Sequence, residues 1–455
     1  MSPNLESSPY DTSRLGLIIR DSEQLFYERR IECNKIIHEI SSMLDEHILV
    51  IDPNNERYNF SKPIKYVAID GTRDIIEGQS HARLFAGAFA VSGIFDGRVD
   101  ITDIDRSCAF SVVSLPYKIL TSGNDYVTES AGTITNLLML LAEIFVACQY
   151  AQKDVNIILL DRPLCGTLAN TSVKVPANSI LKKFGAKSIK KSTDISELSD
   201  IFENFCKRLF LESQPDPLKI DDRYMSSEEL MYICRIGMEK LFLTCSERNI
   251  ELIGLTKTTS DCSFLRLLIT LNSIDDQDTE KIRKILSQID DCKLLQSWIE
   301  PYQKLVCTQE YDTALMTLMV DESKKVIELG GGGLAPRKRI VRSYMSFGSS
   351  HKGGFVFAIE RLILPLENPP VLQLPDKSDI YLYSRDGNEK QKWIFNLLKD
   401  MCTGAFPEAL YYPLPLALSH RFAKSNFDYI RPRLKATSYV FGREYGYNDI
   451  KGRFT

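Results

Sequence analysis

Apolar residues recur along this chain in two periods, and the places where one period gives way to the other mark out its elements. From Ser22 to His47, Leu25, Ile31, Ile36, Ile37, Ile40 and Leu44 stand at helical spacing among charges, which predicts an amphipathic N-terminal helix or helix pair. Ile64 to Ile69, IKYVAI, reads as a buried strand stopped by Asp70-Gly71. Leu84 to Ile94 and Val99 to Phe110 follow as strands joined at Asp96-Gly97, a dipeptide favoured in hairpin turns. Beyond Gly123 and Asn124 the period changes. Ile134, Leu137, Leu138, Leu141, Ile144, Phe145 and Cys148 predict a helix laid on a sheet, and the apolar strand Val155 to Leu160 leads to Asp161. Residues 170–248 read as largely helical and rich in charge, Ile250 to Leu255 as another buried strand ending at Thr256-Lys257, and Asp275 to Val320 as helical. Later come a hairpin from Val341 to Phe347 and Phe355 to Leu364, a short strand from Ile380 to Tyr383, and a helix from Lys390 to Met401.

Three strands, a helix, a strand, helices and a strand form the element order of the ribonuclease H-like fold. The expected class is therefore α/β, a mixed sheet flanked by helices and carrying a helical insertion. The 455 residues are about three times the ~150-residue domain prior, enough for a large core. A hydrophobic fraction of 44% with 25% charged residues excludes disorder as a global description. The net charge of −4 leaves no uniformly basic surface, so a polyanion would have to meet a local patch. Eleven cysteines, an odd number and without a Cys-x-x-Cys pair, argue against a zinc ribbon and a disulfide scaffold and for a reducing cytoplasm. The start is polar, and the most apolar stretch, Leu137 to Cys148, is short and interrupted by Glu143, so neither a secretory signal nor a membrane span is expected.

The chemistry is suggested by where carboxylates fall. Asp70 ends one buried strand, Asp161 ends another, and Glu143 lies among apolar residues on the helix between them. Magnesium or manganese needs such hard oxygen ligands converging from rigid elements. Each residue alone has a structural reading: Asp70-Gly71 as a turn, Asp161-Arg162-Pro163 as a strand exit, Glu143 as a helix-surface residue or a partner of Lys153. Their joint placement favours the metal. Of five histidines, His420 stands out on a helix expected after Pro413 and Pro415, with Lys424 four residues on. Beside a metal-bound phosphate it serves as ligand, proton shuttle or phosphate donor; otherwise it is a hydrogen-bonded structural histidine.

Basic residues gather twice. Arg337, Lys338, Arg339 and Arg342 follow the run Gly330 to Gly333. From Pro413 onward, Arg421, Lys424, Arg431, Arg433, Lys435, Arg443, Lys451 and Arg453 face only Asp428, Glu444 and Asp449, interleaved with Phe422, Phe427 and Tyr429. Lys257 balances a scissile phosphate or snorkels to the surface. The glycine run lacks the Gly-Lys-Ser/Thr ending of a P-loop, so ATP hydrolysis by this chain is not expected. No Gly-x-Ser-x-Gly elbow supports an α/β-hydrolase.

Five segments taken together, AIDGT at Ala68 to Thr72, the helix of Glu143, IILLDRPL at Ile157 to Leu164, ELIGLTKT at Glu251 to Thr258 and YPLPLALSHRFAK at Tyr412 to Lys424, resemble the NurA nuclease family, in the family's order. The resemblance implies a domain over 60–455 with largely helical insertions at about 170–248 and 270–335, and an N-terminal helical segment over 1–59 for dimer or partner contacts. It implies Asp70, Glu143, Asp161 and His420 as catalytic residues and metal ligands. Manganese is the favoured ion, magnesium the alternative, and two ions are expected. Lys257, Arg162, Arg421 and Lys424 are the expected DNA-binding residues. The implied activity is 5′-to-3′ exonuclease on DNA and endonuclease on single strands. The implied partners are DNA, a second copy of the chain and the hexameric HerA ATPase, with no membrane. The implied setting is cytoplasmic, nucleoid-associated resection of double-strand breaks for homologous recombination. The chain departs from the family at Arg162, where glycine is usual, and Glu129 competes with Glu143 as the helix-borne ligand. Two alternatives stay open on the residues alone: a non-catalytic DNA-binding scaffold on the same fold, and a ribonuclease H-like enzyme acting on RNA.

Overall fold

The computed structural model describes residues 24, 49–51, 60, 62–77, 81–116, 131–164, 167, 195–212, 216–220, 223–256, 305–313, 317–320, 326–329, 338–349, 353–364, 371–373, 380–383, 389–402 and 412–444. The chain forms two compact units. The smaller comprises Met1–Asp52, Lys257–Thr308 and Tyr344–Phe357. Within it β1 (Leu49–Ile51) pairs antiparallel with the start of β9 (Leu305–Thr313), Val50 opposite Val306.

The larger unit, Pro53–Thr256, Gln309–Ser343 and Ala358–Thr455, holds every residue discussed below that bears on chemistry. Its centre is built from β2 (Ile64–Glu77), β3 (His81–Phe95), β4 (Val99–Pro116), β5 (Ile157–Leu160) and β8 (Glu251–Thr256), in the order β4-β3-β2-β5-β8. β2, β5 and β8 run parallel, while β3 is antiparallel to both β2 and β4. The class is α/β, a mixed sheet flanked by helices, as the element order predicts. Residues 358–361 of β13 (Gly353–Leu362) extend it antiparallel to β8. A short hairpin of β6 (Lys219–Ile220) and β7 (Arg223–Tyr224) interrupts the helices between β5 and β8. Gly97, at φ 69°, makes the turn between β3 and β4 that the Asp-Gly pair predicts.

Two helices enclose β2. Helix α1 (Ala131–Ala151) lies on one face and is itself backed by α2 (Ile195–Phe210) and α3 (Ser227–Arg248). Val67, Ile69, Leu84, Ala86, Ala88, Ile158 and Leu160 point to this side and form one core with the three helices. Helix α5 (Leu414–Glu444) lies on the other face and packs on β2 and β3, Phe427 meeting Phe85 with ring centroids 4.9 Å apart. By length and composition α1 could cross a membrane, but here it is the buried core helix of the unit. Helix α3 begins with the reciprocal cap its sequence encodes: Glu229 N–H donates to Ser226 Oγ at 3.2 Å, and Ser226 N–H to Glu229 Oε2 at 3.0 Å. Helix α4 (Glu389–Cys402) falls where the periodicity places it.

Two expectations are corrected. Asp70-Gly71 does not stop its strand: β2 continues to Glu77, with Asp70 opposite Phe89 and Gly71 opposite Ala88. Partner hydrogen bonds from β3 decide the matter, because an Asp-Gly pair makes a turn only where no ladder claims its backbone. Residues 305–313, 317–320 and 326–329 are strands rather than helix. Their β-branched and aromatic residues, Val306, Thr308, Tyr311, Thr317, Val320 and Val326 among them, suit a pleated surface. β10 (Thr317–Val320) and β11 (Val326–Leu329) pair with each other, and β9 pairs with β15 (Ile380–Tyr383), itself beside β14 (Val371–Gln373). The later hairpin is present as β12 (Lys338–Ser349) and β13. The N-terminal helix expected over 22–47, apart from Gln24, lies outside the described residues, as do 170–194, 257–304 and 445–455.

Close packing of α1 on α3 rests on Gly237, where a Cβ would come within 2.3 Å of Phe202 Cε2 and 2.8 Å of Ile144 Cγ2. Alanine there gains about 1 kcal/mol of helix propensity but overpacks a rigid buried ring, at about 1–3 kcal/mol. The expected outcome of Gly237→Ala is a net loss of stability, read as a lower midpoint in denaturant unfolding; an unchanged or higher midpoint would mean the three helices are not packed as described.

Candidate metal centre

Side chains alternate along β2, and this decides which of the expected site residues meet. Asp70 and Asp74 face α5; Gly71, between them in phase with Val67 and Ile69, faces α1. Strand β5 does the same at its exit. Ile158 and Leu160 point toward α1, so the next positions put Asp161 on the α5 side and Arg162 on the α1 side. The Asp161 N–H donates to the Ile69 carbonyl at 3.3 Å, which sets the two aspartates side by side.

On the α5 side three groups converge. His420 Nδ1 lies 2.7 Å from Asp70 Oδ2, although 350 residues separate them in the chain. One ligand atom from each of Asp70, Asp161 and His420 lies within 4.8 Å of the others. Two carboxylate oxygens and an imidazole nitrogen are a donor set suited to manganese or magnesium. Asp70 is 6% exposed, whereas the His420 side chain is 54% exposed, so the cluster is rooted in the sheet and opens to solvent along α5. When the imidazole donates through Nδ1 to Asp70, Nε2 remains as an acceptor at the exposed edge. Tyr412 completes the support: its hydroxyl, on a side chain only 1% exposed, donates to Asp161 Oδ1 at 2.7 Å. Burial and the neighbouring Asp161 raise the Tyr412 pKa well above its ordinary value, so this hydroxyl remains a donor.

On the α1 side the arrangement is different. Glu143, 2% exposed, accepts from Arg162 Nε through Oε2. Its Oε1 is pressed against the strand at Gly71, where a Cβ would come within 2.1 Å of it. Only a residue without a side chain lets α1 bring a carboxylate so close to β2. Burial pushes the Glu143 pKa up to about 7; Arg162 pulls it down, and Asp70 and Asp161 push it up. Glu143 is therefore near the cluster but outside it, partnered by Arg162 rather than by Lys153, which lies over the Tyr150 ring.

The basic residues also divide. Arg162, expected to meet DNA, makes its hydrogen bond inward to Glu143. Arg421 and Lys424 are exposed on α5, one and four residues past His420. Arg342, grouped with Arg337, Lys338 and Arg339 as a basic patch, is instead buried on Glu360. Its neighbour Arg361 is fully buried too, donating to Gln391 Oε1 at 2.6 Å. Lys257, Glu129 and Arg337 lie outside the described residues.

No family model matches the chain, and no curated protein is similar to it in sequence. Among solved structures the chain resembles NurA nucleases. The NurA nuclease from Sulfolobus solfataricus is 15% identical at a TM-score of 0.45, over 91% of this chain and 97% of that one. A NurA structure with manganese is 12% identical at a TM-score of 0.45, over 91% and 97%. A NurA structure bound to dAMP and manganese is 12% identical at 0.38, over 91% and 93%. The chemistry of the site is read from its own side chains.

Tyr412 tests that reading, since its hydroxyl donates to Asp161 Oδ1. Tyr412→Phe is expected to leave the fold intact and to weaken Mn2+ binding about 10-fold or more, measured by calorimetry. Unchanged affinity would separate Asp161 from the ion.

Proposed function

We propose that this chain is a metal-dependent nuclease that hydrolyses phosphodiester bonds of DNA. The observation that carries the reading is the convergence of Asp70, Asp161 and His420 from two strands and a distant helix onto one point at the solvent edge of the sheet. Asp70, Asp161 and His420 would hold a divalent ion, which would supply positive charge for a phosphoryl oxygen and lower the pKa of a water nearby. The protein's own groups do the rest. Asp70 fixes the orientation of the imidazole through Nδ1, so that the Nε2 edge of His420 would be the nitrogen turned to the ion. Tyr412 keeps the Asp161 carboxylate turned into the site.

DNA is the favoured substrate because the open side of the centre continues into a basic helix face. His420, Lys424, Arg431 and Lys435 recur at spacings of four, seven and four, which keeps them on one side of α5. Lys435 lies about 22 Å along the axis from His420, a few nucleotides of extended strand. Arg431 is anchored on Asp74 at 3.1 Å, while Arg421, Lys424 and Lys435 have no ion-pair partner among the described residues. The same reading extends to 5′-to-3′ exonuclease and single-strand endonuclease activity, a homodimer, and action with the HerA ATPase in end resection for recombination. These follow the resemblance of the motifs and go together with the nuclease reading.

Labelled single- and double-stranded DNA and RNA, incubated with purified protein and Mn2+, Mg2+ or EDTA, test the proposal. Cleavage of DNA that needs the metal and falls by about 100-fold or more in Asp70→Ala and His420→Ala is the expected result. No cleavage, with HerA and ATP also present, would turn the reading to a scaffold, and preference for RNA would change the substrate class.

The basic face has a separate signature. Lys424→Ala and Lys435→Ala should each weaken DNA binding whatever its sequence and lower the slope of log affinity against log salt by about 1. A salt slope unchanged in both would place the DNA elsewhere.

A further inference from the structure

The side of β2 to which each acidic residue belongs bears on how many ions the centre takes, a question that rests on the nuclease reading but goes beyond it. Two-ion phosphodiester chemistry places its ions about 3.5–4 Å apart, which requires carboxylates shared between both. Here Asp70 and Asp161 present oxygens to the α5 side with His420. The remaining acidic group, Glu143, approaches from the α1 side, where one oxygen is paired and the other is packed close to the strand. Oε2 accepts from Arg162 Nε, and Oε1 is wedged against Gly71. Arg162 is not a casual surface neighbour. Its side chain is 14% exposed, and its carbonyl oxygen lies so close to Gly254 that a Cβ there would come within 2.4 Å of it.

We propose that the centre takes a single divalent ion, on Asp70, Asp161 and His420, and that the Arg162 guanidinium takes the place of a second cation by neutralising Glu143. The charge balance supports it. With the three carboxylates at the junction of β2, β5 and α1 ionised, one divalent ion and one guanidinium match their charge. A guanidinium is always charged at working pH and brings five donors in a fixed plane, of which Nε is committed to Glu143. The pair is buried on the α1 side of β2, so the Glu143 charge is matched within the protein rather than by an ion beside His420.

The test reads ions rather than cleavage. Calorimetric titration of the full chain with Mn2+ should give one ion per chain. Electron paramagnetic resonance at saturation should show the sharp hyperfine pattern of isolated Mn2+, without exchange coupling. Arg162→Gly should raise the count to two and bring in a coupled signal, while Arg162→Lys should keep it at one. A neutral pair, Glu143→Gln with Arg162→Gln, guards against misfolding from a stranded charge and should still bind one ion. Two coupled ions in the wild type, a count still at one in a folded Arg162→Gly, or loss of the ion from the neutral pair each overturn the proposal. A protein that binds one isolated ion but cleaves no nucleic acid would overturn the nuclease reading and leave this one standing. An active nuclease with two ions would do the reverse.

Discussion

The period of one strand governs this site. β2 is clamped between α1 and α5, so every side chain it carries belongs to one helix or the other, and a shift of one residue would exchange them all. Fourteen consecutive pairs with β3, from Ile64 opposite Phe95 to Glu77 opposite Ala82, run without a bulge and hold that register. The consequence is chemical: Asp70 is delivered to His420, and Gly71 to Glu143. Neither contact survives without the other half of the alternation. A larger residue at 71 would push α1 off the strand, and a polar residue at 69 would leave an unpaired group in the apolar core behind the site.

Much of this was legible in the sequence. The strands around Ile64, Leu84, Val99, Ile157 and Glu251 and the helices α1, α4 and the start of α5 stand where the periods place them, because each carries a largely apolar buried face. What periodicity could not weigh was tertiary hydrogen bonding. Asp70-Gly71 has the composition of a turn and the environment of a strand, and only the partner β3 distinguishes them. Residues 305–313 and 317–320 show the same limit, since their mixed polar and β-branched pattern becomes a strand only where a neighbour completes the ladder.

For the site, residue type and order were enough to bring Asp70, Asp161 and His420 together, but they grouped Glu143 with these three and expected Arg162 at the DNA, whereas the two pair with each other. The signal that separates them was present: in IKYVAIDG and IILLDR the aspartate and the residue after it occupy opposite faces of a buried strand, so Arg162 and Glu143 share a side that Asp161 does not. The role of Tyr412 had no such signal. A tyrosine eight residues before His420 is read as core until the structure shows its hydroxyl on Asp161.

Access then decides which acids can do chemistry. A buried carboxylate with a buried cationic partner is a structural pair, and the unit has others, Arg342 with Glu360 and Arg235 with Glu239. Removing one member of such a pair strands a charge in low dielectric, so it persists whether or not it serves a reaction. Glu143 and Arg162 fit that description by burial but differ by position, because the Coulombic reach of Glu143 includes Asp70 and Asp161. The α5 side is built the other way: Asp70 is buried at its root, His420 is half exposed at its tip, and cations follow along the helix. Among the described residues the solvent-facing edge of the cluster is at His420, with Glu143 behind the strand. From there the buried pair bears on the α5 side through its field, which couples Glu143 to Asp70 and Asp161.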